Sequence, residues 1–105
     1  MSMRDFTKIT PKERQAVRNR DSIDGAPCCI YCGSPHGIEI AHYVPRSRGG
    51  MGIRTNLACL CHNCHALLDN GNDPKMAEEI RETFKGWLKL NYPSWSEEKQ
   101  IYRKA

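Results

Sequence analysis

The sequence predicts a small α+β domain: a two-stranded hairpin and a helix stapled by a metal ion, with further helices on either side. Three observations predict it. Two Cys-x-x-Cys pairs, Cys29-Ile-Tyr-Cys32 and Cys61-His-Asn-Cys64, have the spacing of metal ligands. Between them, Gly37-Ile-Glu-Ile-Ala-His-Tyr-Val44 alternates apolar residues at 38, 40 and 44, and Asn56-Leu-Ala-Cys-Leu60 is a second short apolar run. Beyond them, Ala77, Ile80, Phe84, Trp87 and Leu88 recur at the spacing of one helix face.

In chain order, Thr10-Pro11-Lys12-Glu13 opens a helix, with Thr10 as N-cap, Pro11 at the first position and Glu13 completing a capping box. That helix runs to about Arg20 with a basic face of Lys12, Arg14, Arg18 and Arg20, and the stretch from Asp21 to Pro27 breaks it. A first cysteine turn follows, with Gly33 suited to a positive φ. Next come a Ser-Pro-His-Gly turn holding His36, and a strand that ends at Pro45. Residues 46–55 form a loop with three arginines and three glycines. A second strand begins at Asn56, and a helix starts near Cys64 and stops at Gly71. Asp73-Pro74 starts a longer helix to about Leu90, ended by Tyr92-Pro93. Ser94-Trp-Ser-Glu97 reads as a second capping box for a last helix to about Arg103. Phe84 and Trp87 are expected in the core rather than as platforms for stacking bases.

At 105 residues the chain is expected to be one domain, 1–105, with a metal core over about 26–72 and helical extensions at 10–20 and 74–103. So short a chain buries a modest core, which makes a staple necessary. Sixteen Lys+Arg against twelve Asp+Glu leave +4, a balance that favours a polyanionic partner. No apolar run approaches the ~18 residues of a membrane span, and the first residues carry no signal-peptide core. The expectation is therefore a cytoplasmic protein with no membrane partner.

In a reducing compartment, clustered cysteines read as metal ligands rather than disulfides. Cys29, Cys32, Cys61 and Cys64 would close a four-sulfur structural Zn²⁺ site, and its binding energy would become folding energy. A redox dithiol is the alternative for one pair, but two separate pairs argue against it. Cys28 and Cys59 are expected to pack as small apolar residues, and His62 to be exposed or to replace a ligand. Twenty-eight residues, 33 to 60, separate the pairs, more than the roughly 15–20 of a compact zinc ribbon. Function should lie in that insert.

The order Ala41-His42…Pro45…Gly49-Gly50…Asn56-Leu57…Cys61-His-Asn-Cys64-His65, with Val17-Arg-Asn-Arg-Asp21 upstream, resembles the HNH endonucleases of the zinc-containing branch, whose core is a ββα-metal fold. The resemblance covers roughly residues 14–71. The tail, Tyr92-Pro-Ser-Trp95 and Ile101-Tyr-Arg-Lys104, is more loosely similar to small phage-type HNH proteins. The family resemblance implies a metal-dependent DNA endonuclease acting on phosphodiester bonds. His42 would be the general base, Asn56 the residue that pins the loop, and His65 a ligand of a catalytic divalent ion, Mg²⁺ or Mn²⁺. Asp69, four residues on, shares a helix face with His65 and is a second candidate ligand, or else an ordinary exposed carboxylate. Arg46, Arg48 and Arg54 would contact DNA phosphate, unless the loop is simply solvated.

One site of this kind cuts one strand, so a monomer would be a nickase. A homodimer or partner would be needed for a double-strand break. The phage-type likeness implies partners in packaging or recombination and, for a phage-encoded chain, the host cytoplasm. The chain departs from the family pattern at Ala41, where many members have a metal-binding Asp or His; Glu39 could compensate only from the other strand face. The competing function is a non-catalytic zinc-stabilised module that binds DNA or an assembly partner.

Overall fold

The structure is a computed structural model that describes residues 3–103. The chain enters through α1 (Met3–Thr7) and α2 (Pro11–Arg20), then makes a small hairpin of β1 (Ser22–Ile23) and β2 (Ala26–Pro27). The first cysteine turn leads to β3 (Ile38–His42), a loop containing two short 3₁₀ turns, and β4 (Leu57–Cys61). Two helices close the core, α3 (His62–Asn70) and α4 (Pro74–Asn91), and a last 3₁₀ turn spans Glu97–Gln100. This is the small ββα arrangement of an α+β metal fold, with helices flanking it on both sides. No helix among the described residues is long and apolar enough to cross a membrane.

The β3–β4 hairpin is antiparallel, with Ile38 opposite Cys61, Ile40 opposite Cys59 and His42 opposite Leu57. Successive strand residues face opposite sides, and here both sides are covered. Leu57 and Cys59 pack on Val17 of α2, joined by Ile38, Ile40 and Ile9. Ala41, Tyr43, Ala58 and Leu60 face the larger core, which contains Leu68 of α3 and Ile80, Phe84 and Leu88 of α4. Covering on both faces explains why β4 is buried along its whole length and reads as a continuous apolar run. Gly71, at φ +67, ends α3 in the left-handed conformation and turns the chain into α4. Asp73 caps α4, accepting from the Met76 amide at 3.1 Å.

Several expectations need correction. Thr10 does cap α2, accepting from the Glu13 amide at 3.3 Å, but Glu13 does not return to complete a capping box. Its carboxylate accepts instead from the Arg54 amide at 2.7 Å and the Arg54 guanidinium at 2.8 Å, tying α2 to the distant loop. Arg20 is not part of a solvated basic face. Its guanidinium pairs with Asp21 at 2.6 Å and donates to the Leu57 carbonyl, the Arg54 carbonyl and the Tyr92 hydroxyl. Asp21, which caps the end of α2, also accepts from the Cys59 amide and from Trp87 Nε1, both at 2.9 Å. A polar pin thus joins α2, β4 and α4, and Trp87, half-buried, packs against the main core as expected while its indole N–H serves the pin.

Asn56 closes a 3₁₀ turn and precedes β4 rather than beginning it. The helix expected from Cys64 starts two residues earlier, with Cys61 itself as N-cap. The last helix is only the Glu97–Gln100 turn, because the backbone of the tail pairs across to the loop instead. Met51 N–H donates to the Gln100 carbonyl, Tyr102 N–H donates to the Gly49 carbonyl, and Ile101 bridges Gly50. Lys104, part of the tail motif, lies outside the described residues.

Candidate functional site

The two Cys-x-x-Cys pairs converge through different local structures. Cys29 and Cys32 sit on a tight turn in which the Gly33 amide donates to the Cys29 carbonyl, with Gly33 at the predicted positive φ of +79°. Cys61 and Cys64 bracket the first turn of α3, where residues three apart share a face, and the Cys61 sulfur accepts from the Cys64 amide at 3.4 Å. The four Sγ atoms all lie within 4.8 Å of one another, with Cys29, Cys61 and Cys64 buried and Cys32 exposed. Such a set of four soft, mutually adjacent donors fits a tetrahedral zinc ion, which would be held by these four residues. Burial opposes ionisation of Cys29, yet the amides of Cys32, Cys61 and Tyr31 outweigh it and bring that thiol down to about 7. Cys64 is pushed up, by burial first and then by its neighbouring sulfurs. A metal ion must therefore displace protons here, which couples its affinity to pH. Cys28 and Cys59 stay outside the cluster, buried as expected, and burial pushes the Cys59 thiol up to about 12.

On the other side of β3 lies a cleft of about 590 Å³ lined by Ile9, Ile40, His42, Pro45, Arg46, His65 and Asp69, among others. The hairpin places His42 at its rim and α3 supplies His65 and Asp69 one turn apart. His65 Nε2 stands 3.1 Å from Asp69 Oδ2, and His65 Nδ1 is 2.7 Å from Glu39 Oε1. With Nδ1–H donated to Glu39, Nε2 would be the nitrogen offered to a cation beside the Asp69 carboxylate. A nitrogen and an oxygen donor then adjoin at the cleft wall. These are the two residues of the cleft that could hold a divalent cation. Glu39 also pairs with exposed His62 at 2.9 Å, and these two imidazoles hold its carboxyl below the usual range.

Glu39 thus reaches His65 rather than His42. β3 is an edge strand, so a helix residue beside it can be approached from both faces. Ala41 is fully buried in the core opposite Ala58, with no polar role.

His42 Nε2 lies 2.9 Å from the Thr7 carbonyl. A carbonyl oxygen only accepts, so Nε2 carries the proton and Nδ1 the lone pair. Burial lowers the pKa of His42; the Thr7 contact opposes this, while Arg46 and His65 add to it. The ring is therefore mostly neutral at neutral pH.

Asn56 is fully buried and pins both ends of the loop that follows His42. Its Oδ1 accepts from the Val44 amide at 2.9 Å, and its Nδ2 donates to the carbonyls of Val44 and Met51 at 3.2 and 2.9 Å. Replacing Asn56 with Ala leaves these buried groups unpaired. It should lower the unfolding free energy by about 3 kcal/mol, measurable in a urea melt.

The three loop arginines separate. Arg46 and Arg48 occupy an exposed 3₁₀ turn beside His42, and among the described residues no carboxylate pairs with either. Arg54 is instead held by Glu13. The Glu13 clamp and the Thr7–His42 contact join residues 41 and 35 positions apart. Both were missed from the sequence, where no local pattern marks such long-range pairs. Tyr92 and Trp95 anchor the tail, Trp95 Nε1 donating to the Thr55 carbonyl at 2.6 Å.

Compared with known families, residues 29–71 match the model described as HNH endonuclease, a span running from the first paired cysteine to the glycine that ends α3. No curated protein matches the chain.

Proposed function

We propose that this chain is a metal-dependent DNA endonuclease that nicks one strand; the match of residues 29–71 to the HNH endonuclease model and the four cysteines placed to hold a metal support that reading. The observation that carries this reading is the single cleft in which His42, His65, Asp69 and Arg46 stand together. His42, neutral and with its Nδ1 lone pair free, takes the proton of a water attacking phosphorus in line with the departing 3′-oxygen. Asn56 holds the loop ends so that the imidazole stays at the rim of the cleft. His65 and Asp69 would hold a divalent cation, Mg²⁺ or Mn²⁺, which would supply neutralisation of charge on the phosphate and the leaving oxygen. Glu39 orients His65 for that ion, and Arg46 and Arg48 hold neighbouring phosphates of the DNA. With one such cleft per chain, a second copy, or a packaging or recombination protein of a phage, would be needed to cut the other strand. The chain would act in the cytoplasm, the host's if it is phage-encoded.

The test is conversion of supercoiled plasmid to open circle by zinc-loaded protein with Mg²⁺ or Mn²⁺. Plasmid left intact by folded, metal-supplied protein at every salt concentration would sink the proposal in favour of a non-catalytic DNA-binding module. The arginines give a second prediction. Arg46→Ala and Arg48→Ala should each weaken DNA binding alike for all sequences and flatten the salt dependence by about one ion. Arg54→Ala, which breaks the clamp to Glu13, should lower the melting temperature and leave the salt slope unchanged.

A further inference from the structure

We infer that the N-terminal segment, residues 3–9, belongs to the active site. On this reading the Thr7 carbonyl, seated by Gly52, is the group that fixes the tautomer and orientation of His42. The inference rests on His42 being the general base proposed above, and Thr7 is a positioning residue that acts only through it. A neutral imidazole has two tautomers, and only one keeps the lone pair on Nδ1; a fixed acceptor at Nε2 selects it. Thr7 O stands 2.9 Å from Nε2.

Thr7 is 3% exposed although Phe6 and Lys8 on either side of it are exposed. Several contacts seat the segment. The Gly52 amide donates to the Phe6 carbonyl at 2.8 Å, the Phe6 ring stacks on Tyr102 at 4.5 Å between centroids, and Ile9 lines the cleft itself. Gly52 is the key to the seat. A Cβ there would lie 2.2 Å from the Lys8 carbonyl oxygen and 2.5 Å from its carbon, both backbone atoms. Gly52 does not have a positive φ, so the strain of an alanine there comes from its clash with the backbone of residues 8 and 9. The segment lies outside residues 29–71, so the cleft is completed by a part of the chain that the family match does not include.

The experiment compares full-length, zinc-loaded wild type with Gly52→Ala by long-range ¹H–¹⁵N correlation of the His42 ring, alongside plasmid nicking and Mn²⁺ affinity. Wild type should show the single Nε2–H tautomer. Gly52→Ala should show a mixture and nick roughly 10-fold more slowly, within the range a general base contributes, with zinc content and Mn²⁺ affinity unchanged. Should Gly52→Ala not fold, a second variant carries the test. Replacing Lys8 by its α-hydroxy analogue turns the Thr7–Lys8 amide into an ester, whose carbonyl is a weaker acceptor of the same shape. That variant should slow nicking about 3-fold, in keeping with weakening of one hydrogen bond. A locked Nε2–H tautomer with full rate in both variants overturns the inference, and so does a lost tautomer with an undiminished rate. If wild type holds the Nε2–H tautomer yet leaves plasmid intact, the general-base reading itself falls and the inference with it.

Discussion

Replacing His42 with Ala should reduce plasmid nicking by roughly 10²–10⁴-fold, the range a positioned general base supplies, or about 3–5 kcal/mol in the barrier. The variant should keep its zinc and its melt, because His42 sits half-buried at a cleft rim and, among the described residues, its ring makes one hydrogen bond, to Thr7. Loss of rate with loss of fold would mean that His42 is structural. The pH profile adds a constraint whose sign follows from the surroundings of the ring. Burial first, then Arg46 and His65, lower its pKa from the ordinary value, and the Thr7 carbonyl opposes them only in part. A base works unprotonated. The acid limb of kcat/KM should therefore lie below the ordinary imidazole value of about 6.5, with rate level through neutral pH. A limb above that value would contradict the burial of the ring, and His42→Ala should remove the limb altogether.

What could be seen in the sequence follows a physical division between local and distant causes. The Cys-x-x-Cys spacings, the apolar alternation of Ile38 and Ile40, the Thr10 and Asp73 caps and the helical stripe of Ile80, Phe84 and Leu88 are all short-range signals. The structure carries each of them. Even the β1–β2 hairpin had a signal that went unused: Asp24-Gly25, both at positive φ, is a hairpin-turn dipeptide and not merely a helix breaker. What could not be read are the pairings between distant segments. Arg20 looked like one more surface cation, yet it fills the space between α2, β4 and Tyr92 with Asp21 as partner. Glu13 looked like half of a capping box but serves Arg54. The expected final helix lost to the loop at 49–52, which offered its backbone as a partner. The cleft shows the same split. His42, His65 and Asp69 were named from spacing and likeness, and the structure lines one cleft with them. The Thr7 contact and the reach of Glu39 to His65 depend on packing alone.

Cys64→Ser should remove the metal and the cooperative thermal transition together, and chelation of wild type should do the same. The reason lies in where the sulfurs sit. Cys29, Cys61 and Cys64 are members of the same buried cluster as Leu68, Ile80, Phe84 and Leu88, so an ion held by them and the exposed Cys32 would sit against the edge of the main core. The first cysteine turn is tied to the rest by few backbone bonds, chiefly Ile30 N–H to the Cys59 carbonyl at 3.0 Å and His62 N–H to the Gly37 carbonyl at 2.8 Å. Sulfur ligation would add a tether between that turn and α3 to the packing of Ile30 and Tyr31 on the core. Structural zinc contributes an apparent ~10–16 kcal/mol in small zinc domains, against a total stability of about 5–15 kcal/mol for an ordinary domain. Losing one of four ligands therefore removes more than the fold has to spare, and it does so at a residue far from His42 in mechanism. Acidification acts in the same direction, since protons compete with the ion for the thiolates, that of Cys64 already disfavoured by burial and its neighbouring sulfurs. The measurement is zinc content by mass spectrometry alongside a circular-dichroism melt. A Cys64→Ser protein that melts cooperatively at the wild-type temperature would show that the apolar core alone holds the hairpin and α3 together.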